Sequence, residues 1–234
     1  EGISEGLIAA EFNGRWGYID ITGKQIIPFK YGYANNFSEG LACVKFIGSA
    51  YGTYGKYGFI DQTGKTIIPP KYTDAYNFQD ERARVRSGDS WIIIDRKGYA
   101  VGYEKYESVR DFKEGLAAVE LYNKWGYIDK NGIEIIPLEW DGARDFINGL
   151  ACVEKDGKIG VIDKKGKQIV PVKYSRFNTS IEFHEGMSIV QLYGGTYGFV
   201  DTTGKVVIPV EYDYAYDFRE GFAPVKINGY WRFI

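Results

Sequence analysis

Histidine, methionine and cysteine are nearly missing from this chain of 234 residues, which has one, one and two of them. With His184 alone and Cys43 and Cys152 far apart, no zinc-type ligand spacing exists, and neither a metal nor a cofactor is expected. Long apolar runs are missing too. None approaches the roughly 20 residues that a bilayer-spanning helix needs, so no transmembrane segment is expected. An excess of one charge is also lacking, because 29 basic and 31 acidic residues are interspersed. That removes the electrostatic case for nucleic acid or an acidic membrane surface. No window carries a helical period of apolar residues. The one methionine is Met187 and the chain opens on Glu1, so a processed or excised form is expected, with any targeting segment outside it.

What the chain does have is glycine, tyrosine and a period. Thirty glycines follow no Gly-X-Y pattern and therefore point to turns, and twenty tyrosines suit the pleated surface of sheets. The aspartate of each Ile-Asp or Val-Asp pair recurs at Asp20, Asp61, Asp95, Asp129, Asp163 and Asp201, giving spacings of 41, 34, 34, 34 and 38. A Glu-Gly glycine recurs at Gly6, Gly40, Gly115, Gly149, Gly186 and Gly221, and a proline at Pro28, Pro69, Pro137, Pro171 and Pro209. Phenylalanine closes the copies at Phe37, Phe78, Phe112, Phe146, Phe183 and Phe218. Six and a half copies of one unit follow: 4–37, 38–78, 79–112, 113–146, 147–183, 184–218 and the half copy 219–234, read as a single domain over 1–234.

Each copy reads as an antiparallel meander. In the fourth, Leu116 to Glu120 is a first strand, Trp125 to Asp129 a second and Ile133 to Ile136 a third. Proline is expected to end the third strand, since it cannot donate to a central ladder. The stretch from Trp140 to Phe146 is the candidate for a short fourth strand. The glycine of Asp-x-x-Gly fits a positive φ, and the aspartate can hold the amides of its own turn. The fold class is all-β. Units of about 34 residues cannot bury their own apolar faces and must stack. A β-propeller-like arrangement of six to seven short blades is expected, with an open β-solenoid or superhelix as the alternative.

The run Glu-Gly-Leu-Ala-x-Val, then Trp-Gly-Tyr-Ile-Asp, then Gly-x-x-Ile-Ile-Pro, as it stands around Glu114, Trp125 and Gly132, resembles the WG-containing (KWG) repeats of bacteria. The resemblance runs from Ser4 to Ile234. Trp-Gly is intact at Trp16-Gly17 and Trp125-Gly126 and drifts to Tyr57-Gly58, Ile159-Gly160, Tyr197-Gly198, Trp91-Ile92 and Trp231-Arg232. That drift points to packing rather than chemistry. The resemblance implies an exported setting, in the envelope or secreted, and no defined activity. The aromatic hairpin repeats of cell-wall-binding proteins are a looser likeness with a much shorter period.

No nucleophile elbow, phosphate-binding loop or zinc-protease helix motif is present. The recurrent glutamates are stamped on nearly every copy, whereas a catalytic carboxylate pair is singular. They are expected to serve structure, and the chain is expected not to be an enzyme. A grafted site should instead break the repeat. Copy two carries an extended loop with Tyr51 and Tyr54. Copy five inserts residues before Phe183. Copy three loses its Glu-Gly and Ile-Ile-Pro marks and gains Arg82, Arg84 and Arg86, which alternate as on one face of a strand, near Trp91. These six, Tyr51, Tyr54, Arg82, Arg84, Arg86 and Trp91, are the candidate ligand contacts. The expected function is recognition of protein or peptide. Carbohydrate or cell-wall binding through exposed aromatics is the first alternative, and an enzyme with a site near copies two and three the second.

Overall fold

The structure is a computed structural model, and it describes residues 2–47, 55–175, 182–192 and 194–234. All of the regular structure in it is β. The first sheet is β1 (Leu7–Phe12), β2 (Arg15–Asp20) and β3 (Gln25–Tyr31). The second is β4 (Tyr33–Ala34), β5 (Leu41–Lys45), β6 (Tyr57–Asp61) and β7 (Thr66–Tyr72). The third is β8 (Asp74–Ala75), β9 (Ala83–Ser87), β10 (Ser90–Ile94) and β11 (Ala100–Tyr106). β12 (Ser108–Val109), β13 (Leu116–Leu121), β14 (Lys124–Asp129) and β15 (Glu134–Trp140) make the fourth. The fifth has β16 (Gly142–Ala143), β17 (Leu150–Lys155), β18 (Lys158–Asp163) and β19 (Gln168–Ser175). The sixth is β20 (Met187–Gln191), β21 (Tyr197–Asp201) and β22 (Val206–Tyr212). The last is β23 (Tyr214–Ala215), β24 (Pro224–Ile227) and β25 (Tyr230–Phe233).

Two compact units divide the chain inside the fourth repeat: Glu1–Tyr122 with Ile128–Ile133, and Asn123–Tyr127 with Glu134–Ile234. The sheets are offset from the sequence copies. Of the stretch Trp140 to Phe146 expected as a fourth strand, only Gly142–Ala143 forms one, and it opens the next sheet rather than closing its own copy, as where Tyr33 and Ala34 pair with Lys45 and Val44. Every such crossing ties consecutive copies by backbone hydrogen bonds.

Turn chemistry sets the hairpins. Asp20 Oδ1 accepts from the N–H of Thr22 (2.8 Å) and of Lys24 (3.0 Å), while Gly23 takes φ 84°. The Glu-Gly pairs are tight two-residue turns with both φ positive, 55° at Glu39 and 76° at Gly40, closed by Ser38 and Leu41 bonding to each other's backbone. One expectation needs correction. Proline does not end the third strand: Pro28 lies inside β3, which continues to Tyr31. It is tolerated there because the register jumps. Tyr18 faces Ile27 and Trp16 faces Tyr31, so Pro28, Phe29 and Lys30 arch over Gly17 alone and the missing N–H breaks no ladder bond.

Within each unit, one face of a sheet packs on the opposite face of the next. In the first unit, Leu7, Ala9, Tyr18 and Ile27 of the first sheet meet Ala42, Val44 and Ile60 of the second. Leu41, Cys43, Phe59 and Ile68 of the second meet Ala83, Val85 and Ile94 of the third. In the second unit, Val161 and Val170 meet Val190 and Val200, and Ile189 and Phe199 meet Ala223 and Val225. Strand alternation thus gives the second sheet an incoming face of Ala42, Val44 and Ile60 and an outgoing face of Leu41, Cys43, Phe59 and Ile68.

Candidate functional site

Four local devices recur along the chain, three of them between neighbouring sheets and one inside a sheet. The phenylalanine that closes a copy, lying beyond the short strand that opens the next sheet, stacks on the ring of the second strand, with centroids 4.7 Å apart for Tyr18–Phe37 and 5.0 Å for Phe59–Phe78. In the second unit the equivalent pair Phe199–Phe218 is at 5.0 Å. Second, a serine hydroxyl donates forward, Ser4 to the Phe37 carbonyl (2.6 Å) and Ser38 to that of Phe78 (2.7 Å). Third, the recurrent carboxylate accepts from the next Glu-Gly turn. Glu5 takes the Gly40 N–H on both oxygens (3.1 Å each), Glu39 the Glu81 N–H (2.9 Å) and Asp80 the Gly115 N–H (3.0 Å). Glu185 takes the N–H groups of Glu220 (2.7 Å) and Gly221 (2.9 Å). The glutamates are structural hooks. Their left-handed backbone costs about 1–2 kcal/mol per residue, and the hook offsets it with a charge-assisted bond.

The fourth device is the glycine after the aromatic. A Cβ on Gly58 would stand 2.6 Å from the Ile68 carbonyl oxygen and 2.9 Å from the Pro70 nitrogen. Gly17, Gly126, Gly160 and Gly198 are equally crowded by the arch of the third strand. Copy three shows the coupled exception. Ile92 holds the glycine slot, the Ile-Ile-Pro run is gone, and Ile93 faces Val101 while Trp91 faces Tyr106. Four residues, 102–105, arch over Ile92 where three arch over Gly17.

A glycine locked under a prolyl arch, after an aromatic and before an Ile-Asp turn, is the WG signature in three dimensions. The family model described as WG containing repeat matches residues 16–48, 57–91, 104–125, 125–158, 159–195 and 197–231. The chain belongs to the WG-containing repeat family. No curated protein matches it in sequence. Among solved structures it is similar to the computationally designed Ika8 protein, with 14% identity over 99% of this chain and 81% of that one, at a TM-score of 0.50. BamB from Moraxella catarrhalis (12% identity, 95% and 77% covered, TM-score 0.47) and AztD from Citrobacter koseri (13%, 86% and 67%, 0.44) also resemble it. The fold is one of propeller-like β-meander repeats.

The WG frame locates the six residues singled out in the sequence. Tyr51 and Tyr54 lie outside the described residues, as does most of the copy-five insertion. Arg84 fills the slot that Cys43, Ala118 and Cys152 hold in other repeats. Its guanidinium lies 3.5 Å from the Tyr76 ring centroid and 5.6 Å from that of Trp91. It also binds Asp111 at 2.7 Å and donates to the Val109 carbonyl at 2.9 Å. Arg82 precedes the strand and donates to the carbonyl of Lys130 (2.7 Å). Arg84 is therefore tied to β12 and the residues after it, at the start of the next sheet, and only Arg86 of the three arginines is exposed. Among the described residues, no cluster of three His, Cys, Asp or Glu side chains could hold a metal ion.

The surface that sequence reading missed is the outgoing face of the last sheet. Phe233 is the counterpart of Phe59, yet it is 76% exposed where Phe59 is fully buried. Phe222 and Trp231 are 61% and 52% exposed. Tyr216 stacks on Trp231 with centroids 5.5 Å apart and planes at 25°, and Tyr214 packs edge-on against both. Tyr216, Phe222, Pro224 and Phe233 line an open hollow of about 790 Å³ with Asp217, Arg219 and Glu220 on its rim. β25 pairs with β24 alone among the described residues. Since Arg232 and Tyr230 face Val225 and Ile227, and Ile234 exchanges bonds with Ala223, the N–H groups of Trp231 and Phe233 point away from β24.

Proposed function

We propose that this chain is a non-catalytic bacterial recognition module that binds protein or peptide through the aromatic cluster of its last sheet. The observation that carries this reading is the cluster of Tyr214, Tyr216 and Trp231, three exposed rings packed on one another. Aromatic residues around a desolvated centre are the usual hot spots of protein interfaces. The half-exposed, near-parallel Tyr216–Trp231 pair also favours a second reading, in which a sugar ring stacks on the aromatic faces. The envelope or the secreted fraction is the setting we propose, and fractionation of source cells tests it.

Selection from a displayed peptide library, followed by titration, tests the site. Peptides selected on the wild-type chain should lose about 30-fold or more in affinity on Trp231→Ala or Phe233→Asp, as truncating a hot-spot residue does. Selected peptides that bind both variants as well as wild type would sink the assignment. A glycan array run alongside decides for sugar if it gives hits that Trp231→Ala removes.

A further inference from the structure

Four Asn-Gly pairs lie in the chain: Asn13-Gly14, Asn131-Gly132, Asn148-Gly149 and Asn228-Gly229. A glycine after asparagine leaves its backbone nitrogen unshielded, and that nitrogen can attack the asparagine side chain. We propose that Asn13 is a self-modification site of the folded protein, converting to aspartate and isoaspartate while the fold holds the other three as amides. Asn13 and Gly14 form the two-residue turn between Phe12 and Arg15, with φ 50° and 72°, and both are exposed. In a turn with both central φ positive the flanking residues bond each other, and the N–H of the second central residue faces water. Among the described residues nothing accepts from the Gly14 N–H. A Cβ on Gly14 would meet nothing within 4 Å, so the ring that has to form there has room.

The other three pairs are restrained. The Gly132 N–H donates to the Asp129 carbonyl (3.0 Å), the Asn131 side-chain amide donates to Asp129 Oδ2 (3.3 Å), and a Cβ on Gly132 would lie 2.2 Å from Gly102 Cα. The Gly229 N–H donates to Asp213 Oδ2 (3.1 Å). Gly149 stands in the slot whose N–H a carboxylate holds at Gly40, Gly115 and Gly221, and it too is engaged. Such a bond has to break before attack, and a neighbouring carboxylate opposes the amide anion that attacks. At Asn13 neither restraint applies. The Gly14 nitrogen yields its proton to solvent base and bonds to Cγ of Asn13. The Cγ–Nδ2 bond breaks, and the side-chain nitrogen takes up a proton and leaves as ammonia. Water then opens the cyclic imide at either carbonyl. One opening gives aspartate, and the other routes the main chain through the side-chain carbons as isoaspartate. No electrons are exchanged, and water is the only co-reactant.

Incubation of the folded chain at mildly alkaline pH, sampled over days, is the test. Tryptic peptides 1–15, 131–144, 145–155 and 227–232 carry the four pairs separately, so mass spectrometry reads each amide-to-acid conversion. Labelling by an isoaspartyl methyltransferase reads the isomer. Asn13 should convert about tenfold faster than each of the others, or more, the factor expected for one hydrogen bond that must break. In urea all four should convert at similar rates, since the dipeptide alone then sets the chemistry. Asp213→Ala, at an exposed position, should speed Asn228 by about tenfold and leave Asn13 unchanged. Equal rates at the four pairs of the folded chain, or an Asn13 that stays an amide while the unfolded chain converts, would overturn the proposal. An Asn228 indifferent to Asp213→Ala would overturn the hydrogen-bond ranking on which it stands.

Discussion

Gly58→Ala adds one methyl group where the chain has no room for it. The new Cβ would lie 2.6 Å from the Ile68 carbonyl oxygen, 2.9 Å from the Pro70 nitrogen and 3.0 Å from the Pro69 carbonyl carbon. All three are backbone atoms of β7, so no side chain can swing aside. Forcing an extra methyl group into a packed site costs about 1–3 kcal/mol, and rigid neighbours put this case at the upper end. Removing a glycine from the unfolded chain offsets about 0.4–1 kcal/mol. The expected net loss is about 2 kcal/mol. At about 2–4 °C per kcal/mol for a chain of this size, Tm should fall by about 4–8 °C. Urea denaturation followed by tyrosine and tryptophan fluorescence measures it. Gly2→Ala is the control, since a Cβ there meets nothing within 4 Å. A Gly58→Ala protein within about 0.5 kcal/mol of wild type would refute the prolyl-arch explanation of the WG glycine.

Glu185→Ala should cost about 1 kcal/mol, because the N–H groups of Glu220 and Gly221 lose their acceptor but remain wet. The check is loss of hydrogen-exchange protection at those two amides. Arg84→Lys keeps the charge but loses the stacked fork that holds Tyr76, Asp111 and the Val109 carbonyl, and should cost about 1–2 kcal/mol in urea titration. The Thr22, Thr63 and Thr203 hydroxyls hold the Asp20, Asp61 and Asp201 carboxyls below their ordinary value of 3.8. A depressed folded value stabilises above the unfolded one and is lost as pH falls through it. These turns should therefore weaken only below about pH 4, and Asp201→Asn should flatten that acid limb. Burial raises the Cys43 thiol, and Cys152 is buried too, so a thiol reagent such as Ellman's should label neither until the chain unfolds.

The period, the all-β class and the turn aspartates were legible because each is a local, repeated chemistry. Asp20, Thr22 and Gly23 act within one turn. The joints were not legible, since they depend on which residue of the next copy a side chain meets. Glu5 could be read as structural, yet nothing in one copy says that its target is Gly40, 35 residues away. The same limit hid the arch of copy three, where Ile92 stands at the glycine slot under four residues of the neighbouring strand rather than three. Arg84 looked like part of a binding stripe because alternation gives a face without saying what covers it, and the face is covered by Asp111 and Val109. The open last sheet was missed for the converse reason: Phe233 matches Phe59 in sequence, and only packing separates a buried ring from a bare one.

Hydrogen exchange at β25, read residue by residue, bears most directly on the claim that the last sheet carries the recognition surface. In dilute protein the Trp231 and Phe233 amides should exchange fast while those of Tyr57 and Phe59 on β6, covered by β7, stay protected. Addition of a selected peptide should slow Trp231 and Phe233 and leave Tyr57 and Phe59 unchanged. Amides of Trp231 and Phe233 that are already protected in dilute protein, or that stay fast when ligand is bound, would contradict it.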